Sequence, residues 1–148
     1  MKIQEFLSPT DVVIDVAASD KRKLLADLAQ RAATRLDILP DRILSELLKR
    51  EDLGSTGVGG GVAIPHARFH QALRPFGMLV RLKKPIAYDA VDGSPVDILA
   101  MLLLPEDAAG DRLGALASIA RKLRDPAIAA ALRGARDSAD AYRALTAG

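Results

Sequence analysis

The sequence predicts an α/β fold: a mixed central β-sheet flanked by α-helices, in a single domain spanning residues 1–148. Three observations predict it. Short Val/Ile/Leu-rich segments alternate with longer segments whose apolar residues recur at helical spacing. The run Ile98 to Leu104 is almost continuously apolar, the pattern of a strand covered on both faces. And 148 residues at 49% hydrophobic content suit one ordinary domain that needs no disulfide or structural metal to hold a core. Val12 to Val16 reads as the first strand. Ser19 or Asp20 then offers an N-cap for a helix that carries Leu24, Leu25, Leu28, Ala32 and Leu36 on one face. A second helix starts after Pro40, with Asp41 in its first turn and Ile43, Leu44, Leu47 and Leu48 as its stripe, and ends near Arg50 and Glu51. From Gly54 to Gly61 five of eight residues are Gly, leading into Val62-Ala63-Ile64-Pro65-His66. Gly77 to Leu82 and Val96 to Leu104 read as strands around a turn-rich piece with Pro85, Asp92, Gly93 and Pro95. After Pro105, a helix places Leu113, Leu116, Ala117, Ala120 and Leu123 on one face until Asp125-Pro126 breaks it. Two shorter helices follow, roughly Ala127 to Arg133 and Ser138 to Leu145, with Asp137 or Ser138 as cap.

Composition narrows the chemistry. There is no Cys and there are two His, which excludes a disulfide scaffold, a zinc ribbon, an iron–sulfur site and a cysteine nucleophile in this chain. The net charge is +2, with 21 basic and 19 acidic residues spread evenly over both halves, and aromatics are 3%. A basic stripe with interleaved aromatics is absent, which argues against nucleic acid as a partner. No apolar run approaches the roughly 20 residues that cross a bilayer, and the N-terminus lacks a signal-peptide pattern. The expectation is a soluble cytoplasmic chain with no membrane insertion.

The glycine loop fails two mechanistic spacings. A P-loop needs Lys-Ser/Thr after its last Gly, and Gly61 is followed by Val62-Ala63. A dinucleotide fingerprint starting at Gly57 finds Val62 where its third Gly belongs. What remains is backbone that can approach another group closely, or a plain turn. His66 adds to the loop: it closes an apolar segment and follows Pro65, whose ring stiffens the backbone beside the imidazole. The alternative for His66 is a half-buried strand-end histidine bonded to a carbonyl. His70 lies four residues on, but Ala67 stands where a metalloprotease motif needs Glu and the ligands for a closed zinc site are lacking, so His70 reads as a solvent-facing residue. No G-x-S-x-G elbow supports a serine hydrolase.

The run from Arg50 through Gly54-Ser55-Thr56-Gly57-Val58-Gly59-Gly60-Gly61-Val62-Ala63-Ile64-Pro65-His66 resembles the active-site signature of enzyme IIA domains of the fructose/mannitol class of the phosphoenolpyruvate-dependent phosphotransferase system. Gly-Ser-Thr-Gly is closest to the nitrogen-regulatory type. The resemblance continues through Lys84-Pro85-Ile86 and Gly93-Ser94-Pro95-Val96-Asp97 into the C-terminal helices, and it implies the same mixed sheet flanked by helices.

That resemblance implies a phosphocarrier in which His66 accepts a phosphoryl group from a phosphohistidine on an HPr-like carrier protein. The state of His66 then informs regulatory target proteins, or the group passes to a cysteine of a separate IIB domain in sugar uptake. A binding protein that is never phosphorylated is the alternative of another class. No cofactor or metal is implied. A loose phosphoryl-transfer transition state asks for positioning and charge. Arg50, matching the family's arginine, can meet phosphoryl oxygens with its planar fork, or it can serve only as a C-terminal helix charge. Ser55 and Thr56 can donate hydroxyl hydrogen bonds, and glycine amides, Gly61 included, can line the anion; Thr56 can also be a simple turn former. Arg112 stands where many members carry a second histidine. It keeps a positive charge at every working pH, so it can hold a phosphoryl group without titrating. Ala67 replaces the Gly that usually follows the histidine.

Overall fold

The computed structural model describes residues 1–70, 72, 74–106 and 109–147, with Ala109 as backbone alone. The elements run β1 (Leu7–Val16), α1 (Lys21–Leu36), α2 (Pro40–Asp52), β2 (Gly57–Gly59), β3 (Val62–Ala63), β4 (His66–Phe69), β5 (Phe76–Ile86), β6 (Val96–Pro105), α3 (Ala109–Arg124), α4 (Pro126–Arg133) and α5 (Ser138–Thr146). The starts of α1, α2, α4 and α5 each have a local cause. The Asp20 side chain accepts from the Lys23 amide at 2.8 Å, Asp125 from Ala127 at 2.9 Å and Asp137 from Asp140 at 2.7 Å, each satisfying a first-turn N–H that has no partner within the helix. Pro40 and Pro126 occupy first-turn positions, where a missing N–H costs nothing.

The sheet order is β1-β5-β6-β3-β2, with β4 also on β6. β1 is parallel to β5, β5 antiparallel to β6, β6 parallel to both β3 and β4, and β3 antiparallel to β2. The central strand β6 explains its own composition. Leu99, Met101 and Leu103 enter the core beneath α1 and α2, while Ile98, Ala100, Leu102 and Leu104 enter the core beneath α3, α4 and α5. Alternate residues face opposite sides of a sheet, so a strand covered on both faces carries no polar alternation. The predicted mixed sheet between helices is what the chain forms.

Three details differ from the sequence reading. β1 begins at Leu7 rather than Val12, since an edge strand tolerates Ser8, Pro9 and Thr10. The segment ending at His66 is two strands: Pro65 donates no N–H, the ladder breaks at Ile64–Pro65, and His66 opens β4 instead of closing a strand. The Pro65 carbonyl still accepts from the Leu102 amide at 2.9 Å. On α3, Leu113 is exposed while Ala115, Ser118, Ile119 and Leu123 face inward. The buried Ser118 hydroxyl is satisfied by the Met1 carbonyl, so a polar residue sits where an apolar stripe excludes it.

Candidate functional site

The strand pairing builds the site. Gly57 pairs with Ala63, and the Thr56 carbonyl accepts from the Ile64 amide at 3.0 Å. That antiparallel register carries the Gly54–Ser55 segment alongside Pro65 and His66. Upstream, Arg50 and Glu51 end α2. The last turn of α2, the loop and the start of β4 therefore meet at one edge of the sheet.

His66 is half-buried, and its Nδ1 lies 2.8 Å from the Ile64 carbonyl oxygen. A carbonyl only accepts, so Nδ1 carries the proton and the lone pair of the neutral ring is on Nε2. Burial lowers the His66 pKa below the ordinary histidine value, and the nearby positive charge of Arg50 lowers it further; the bond to Ile64 and the charge of Glu51 oppose them. The lowered pKa favours the neutral ring, and the bond to Ile64 leaves its lone pair on Nε2, which can act as a nucleophile. By register with Leu102 and Leu104, His66 and Arg68 occupy the sheet face that α3 covers.

Arg50 is half-buried, and its Nη1 donates to the Gly54 carbonyl at 2.8 Å. It has only this neutral partner among the described residues, so its charge is available to an anion at His66. Ser55 donates its hydroxyl to the Tyr88 carbonyl at 3.0 Å and accepts the Gly57 amide at 3.0 Å. Thr56 is 4% exposed and donates its hydroxyl to Glu51. The two hydroxyls shape the loop from beneath, and neither is free to meet an anion in this state. For Thr56, the turn-forming alternative describes its position.

Two further expected site residues have partners of their own. Gly61 is at the β2–β3 turn, where its carbonyl accepts from the amides of Asp97 at 3.0 Å and Ile98 at 3.1 Å. Ile98 and the His66 partner Leu102 are separated by about 13 Å of extended strand. Gly61 has φ +80°, and a Cβ there would lie 2.5 Å from Arg133 Nη2. Its glycine character serves the hairpin, which Arg133 clamps through Asp97 at 2.9 Å and the Gly60 carbonyl at 2.7 Å. Arg112, in the first turn of α3, donates to the Pro105 carbonyl at 3.2 Å and to the Glu106 carbonyl. These bonds tie it to the end of β6, where Pro105 pairs with Phe69 rather than with His66. His70 is exposed as expected, with Nδ1 3.1 Å from Glu106 Oε2.

Sequence reasoning missed the cluster under the loop. The Glu51 side chain is 5% exposed and lies 2.9 Å from Lys21 Nζ. Its carboxylate also accepts from the Thr56 amide at 3.1 Å and the Tyr88 hydroxyl at 3.2 Å, while Lys21 Nζ sits 4.5 Å from the Tyr88 ring centroid. These donors hold the Glu51 pKa below the ordinary carboxylate value despite burial, which pushes the other way. The signal lay in Glu51 following Arg50, but only the fold brings Lys21 and Tyr88 to it.

Known proteins match this arrangement along its length. The family model described as "Phosphoenolpyruvate-dependent sugar phosphotransferase system, EIIA 2" matches residues 5–148. A nitrogen regulatory protein of Bradyrhizobium diazoefficiens is 41% identical over 145 residues, covering 98% of this chain and 95% of that one. One from Escherichia coli is 38% identical over 132 residues, covering 88% of this chain and 81% of its own. The crystal structure of nitrogen regulatory protein IIA-Ntr from Neisseria meningitidis superposes with a TM-score of 0.92 at 32% identity, covering 97% of this chain and 99% of that one. No helix among the described residues is long and apolar enough to cross a membrane. By the family match and these relatives, the chain belongs to the EIIA 2 family of the phosphoenolpyruvate-dependent sugar phosphotransferase system.

Proposed function

We propose that the protein is a phosphocarrier whose His66 Nε2 accepts a phosphoryl group from a phosphohistidine on an HPr-like carrier protein, and that its phosphorylation state chiefly serves regulation of the nitrogen type. The observation that carries this reading is the His66–Ile64 hydrogen bond of 2.8 Å, which fixes the tautomer with its lone pair on Nε2. In the step, that lone pair forms the new N–P bond while the donor P–N bond breaks and its electron pair returns to the donor ring. His66 keeps its Nδ1 proton on the Ile64 carbonyl, and the donor ring leaves neutral if its other nitrogen carried a proton.

Charge on the phosphoryl oxygens is met by Arg50. A guanidinium meets a phosphoryl group with opposite charge and a bidentate fork, which a single bond to a neutral carbonyl lacks, so Arg50 gains by exchanging Gly54 for the phosphoryl group. The Gly54–Ser55 backbone borders the same space. Arg112 is given no contact with the phosphoryl group, because the Pro105 and Glu106 carbonyls hold its Nη1 at the end of β6, about 10 Å of extended strand beyond the Leu102 that pairs with His66. The names of the relatives support the regulatory reading over a step in sugar uptake, in which a separate IIB cysteine would take the group onward.

The test is incubation with phosphoenolpyruvate, enzyme I and an HPr-like carrier, followed by mass spectrometry. The expected result is a gain of one acid-labile phosphoryl group, absent from His66→Gln. A wild-type protein that gains none beside a control IIA that does would overturn the reading and leave a binding protein that is never phosphorylated.

A further inference from the structure

The buried carboxylate of Glu51 takes no part in the transfer just described, yet it begins a continuous chain of hydrogen bonds that ends on the reacting ring. Glu51 Oε2 accepts from the Thr56 amide at 3.1 Å. The carbonyl of Thr56 accepts from the Ile64 amide at 3.0 Å, and the Ile64 carbonyl holds His66 Nδ1 at 2.8 Å. Two residues, Thr56 and Ile64, therefore link the carboxylate to the imidazole through their backbone groups. Other contacts fix Glu51 itself: Lys21 Nζ at 2.9 Å from the first turn of α1, the Thr56 hydroxyl, and the Tyr88 hydroxyl at 3.2 Å. Tyr88 is 1% exposed. A buried carboxylate is retained at this depth only when charge and hydrogen bonds compensate its desolvation, and here the compensating groups come from three separate segments.

We propose that Glu51 is a positioning residue for His66: through Thr56 and Ile64 it fixes the tautomer and the orientation of the imidazole without touching the phosphoryl group. The proposal rests on the reading of His66 as acceptor. A carboxylate can accept from Thr56 N–H, Thr56 Oγ–H, Tyr88 O–H and Lys21 at once. A carboxamide cannot, because its NH2 is left facing Lys21 and the amide donors. Loss of the carboxylate therefore frees Thr56, and with it the Ile64 peptide whose carbonyl selects Nδ1–H. Misplacement of a reacting group by a fraction of its proper geometry costs rate rather than affinity.

The experiment compares wild type with Glu51→Gln, and uses Thr56→Val and Thr56→Ser as milder variants should Glu51→Gln fail to fold. Two readouts are taken on protein shown to be folded by circular dichroism. First, 15N NMR of the His66 ring at about pH 8, more than a unit above the ordinary histidine value, reports the tautomer. Wild type is expected to be the Nδ1–H form and Glu51→Gln a mixture of both forms, with Thr56→Val shifted in the same direction and Thr56→Ser restored. Second, phosphoryl transfer from the HPr-like carrier is expected to lose roughly tenfold or more in maximal rate, with KM for the carrier unchanged. An unchanged tautomer in folded Glu51→Gln or Thr56→Val overturns the proposal even if the rate falls. A rise in KM at constant maximal rate also overturns it, since that would mark a docking role. The NMR readout needs no donor protein, so a wild type that is never phosphorylated defeats the functional reading and leaves the positioning test intact.

Discussion

Nδ1 of His66 and the carbonyl oxygen of Ile64, two residues back along the same chain, are 2.8 Å apart. This bond fixes the tautomer of the neutral ring, with the proton on Nδ1 and the lone pair on Nε2. Ile64 can present its carbonyl to the ring because its amide is already held by Thr56 and because Pro65 contributes no N–H and breaks the ladder between them. Sequence, backbone and chemistry meet at this tripeptide, Ile64-Pro65-His66.

Arg50 is the cation best placed to serve the phosphoryl group. Arg50→Ala is expected to slow transfer by about 10²-fold, the usual cost of removing one donor from a developing oxyanion. Arg50→Lys should recover part of that loss, since charge returns without the planar fork. The Arg50 charge depresses the His66 pKa, so Arg50→Ala should also raise the His66 titration midpoint in an NMR titration. A midpoint that stays or falls would separate the two residues.

Arg112 tests the opposite expectation. With its guanidinium on the Pro105 and Glu106 carbonyls, Arg112→Ala should alter the transfer rate and the phosphohistidine half-life by no more than about threefold, far below the effect of Arg50→Ala. Equal losses in the two variants would place Arg112 on the phosphoryl group after all. The rate and the half-life of the labelled protein, followed by radiolabel decay, decide between them.

The lowered His66 pKa has a stability consequence of definite sign. As pH falls through the ordinary value of 6.5, the unfolded ring takes up a proton before the folded one does. The unfolded state then binds more protons, so stability declines with falling pH until the folded ring is also protonated. His66→Gln removes this contribution, and its melting temperature relative to wild type should rise as pH drops from above 7 to about 5. Tyr88 gives the mirror case. Burial and the charge of Glu51 raise its pKa far above the ordinary 10.0, so the neutral phenol is favoured in the fold and stability is lost as pH rises past that ordinary value. Tyr88→Phe should flatten the alkaline limb, at a cost of about 1–3 kcal/mol near neutrality from the buried Glu51 oxygen that loses this donor.

Much of the fold was legible because it follows local rules. The Asp20, Asp125 and Asp137 caps, the prolines opening α2 and α4, and the unbroken apolar run of β6 are each a short-range signal with a physical cause. What depended on distant contacts was not legible. Ser118 faces the core on α3 only because the Met1 carbonyl lies there to receive its hydroxyl, and no periodicity argument includes that partner. The site divided in the same way. The signature pointed to His66 and Arg50, and the fold sets them at one edge of the sheet. It also suggested Gly61 and the Thr56 hydroxyl, but glycines and threonines have structural uses that sequence does not separate from functional ones. Gly61 is consumed by the β2–β3 turn and Thr56 by Glu51. The Lys21–Glu51–Tyr88 cluster was out of reach because its members are far apart in the chain.

The central claim concerns one atom, His66 Nε2, and 15N-edited NMR of the phosphorylated protein, prepared with phosphoenolpyruvate, enzyme I and an HPr-like carrier, reads it directly. The predicted result is a single phosphohistidine with phosphorus coupled to Nε2 of His66 and the proton retained on Nδ1. Phosphorus on Nδ1, or an adduct that persists in His66→Gln, would contradict the account.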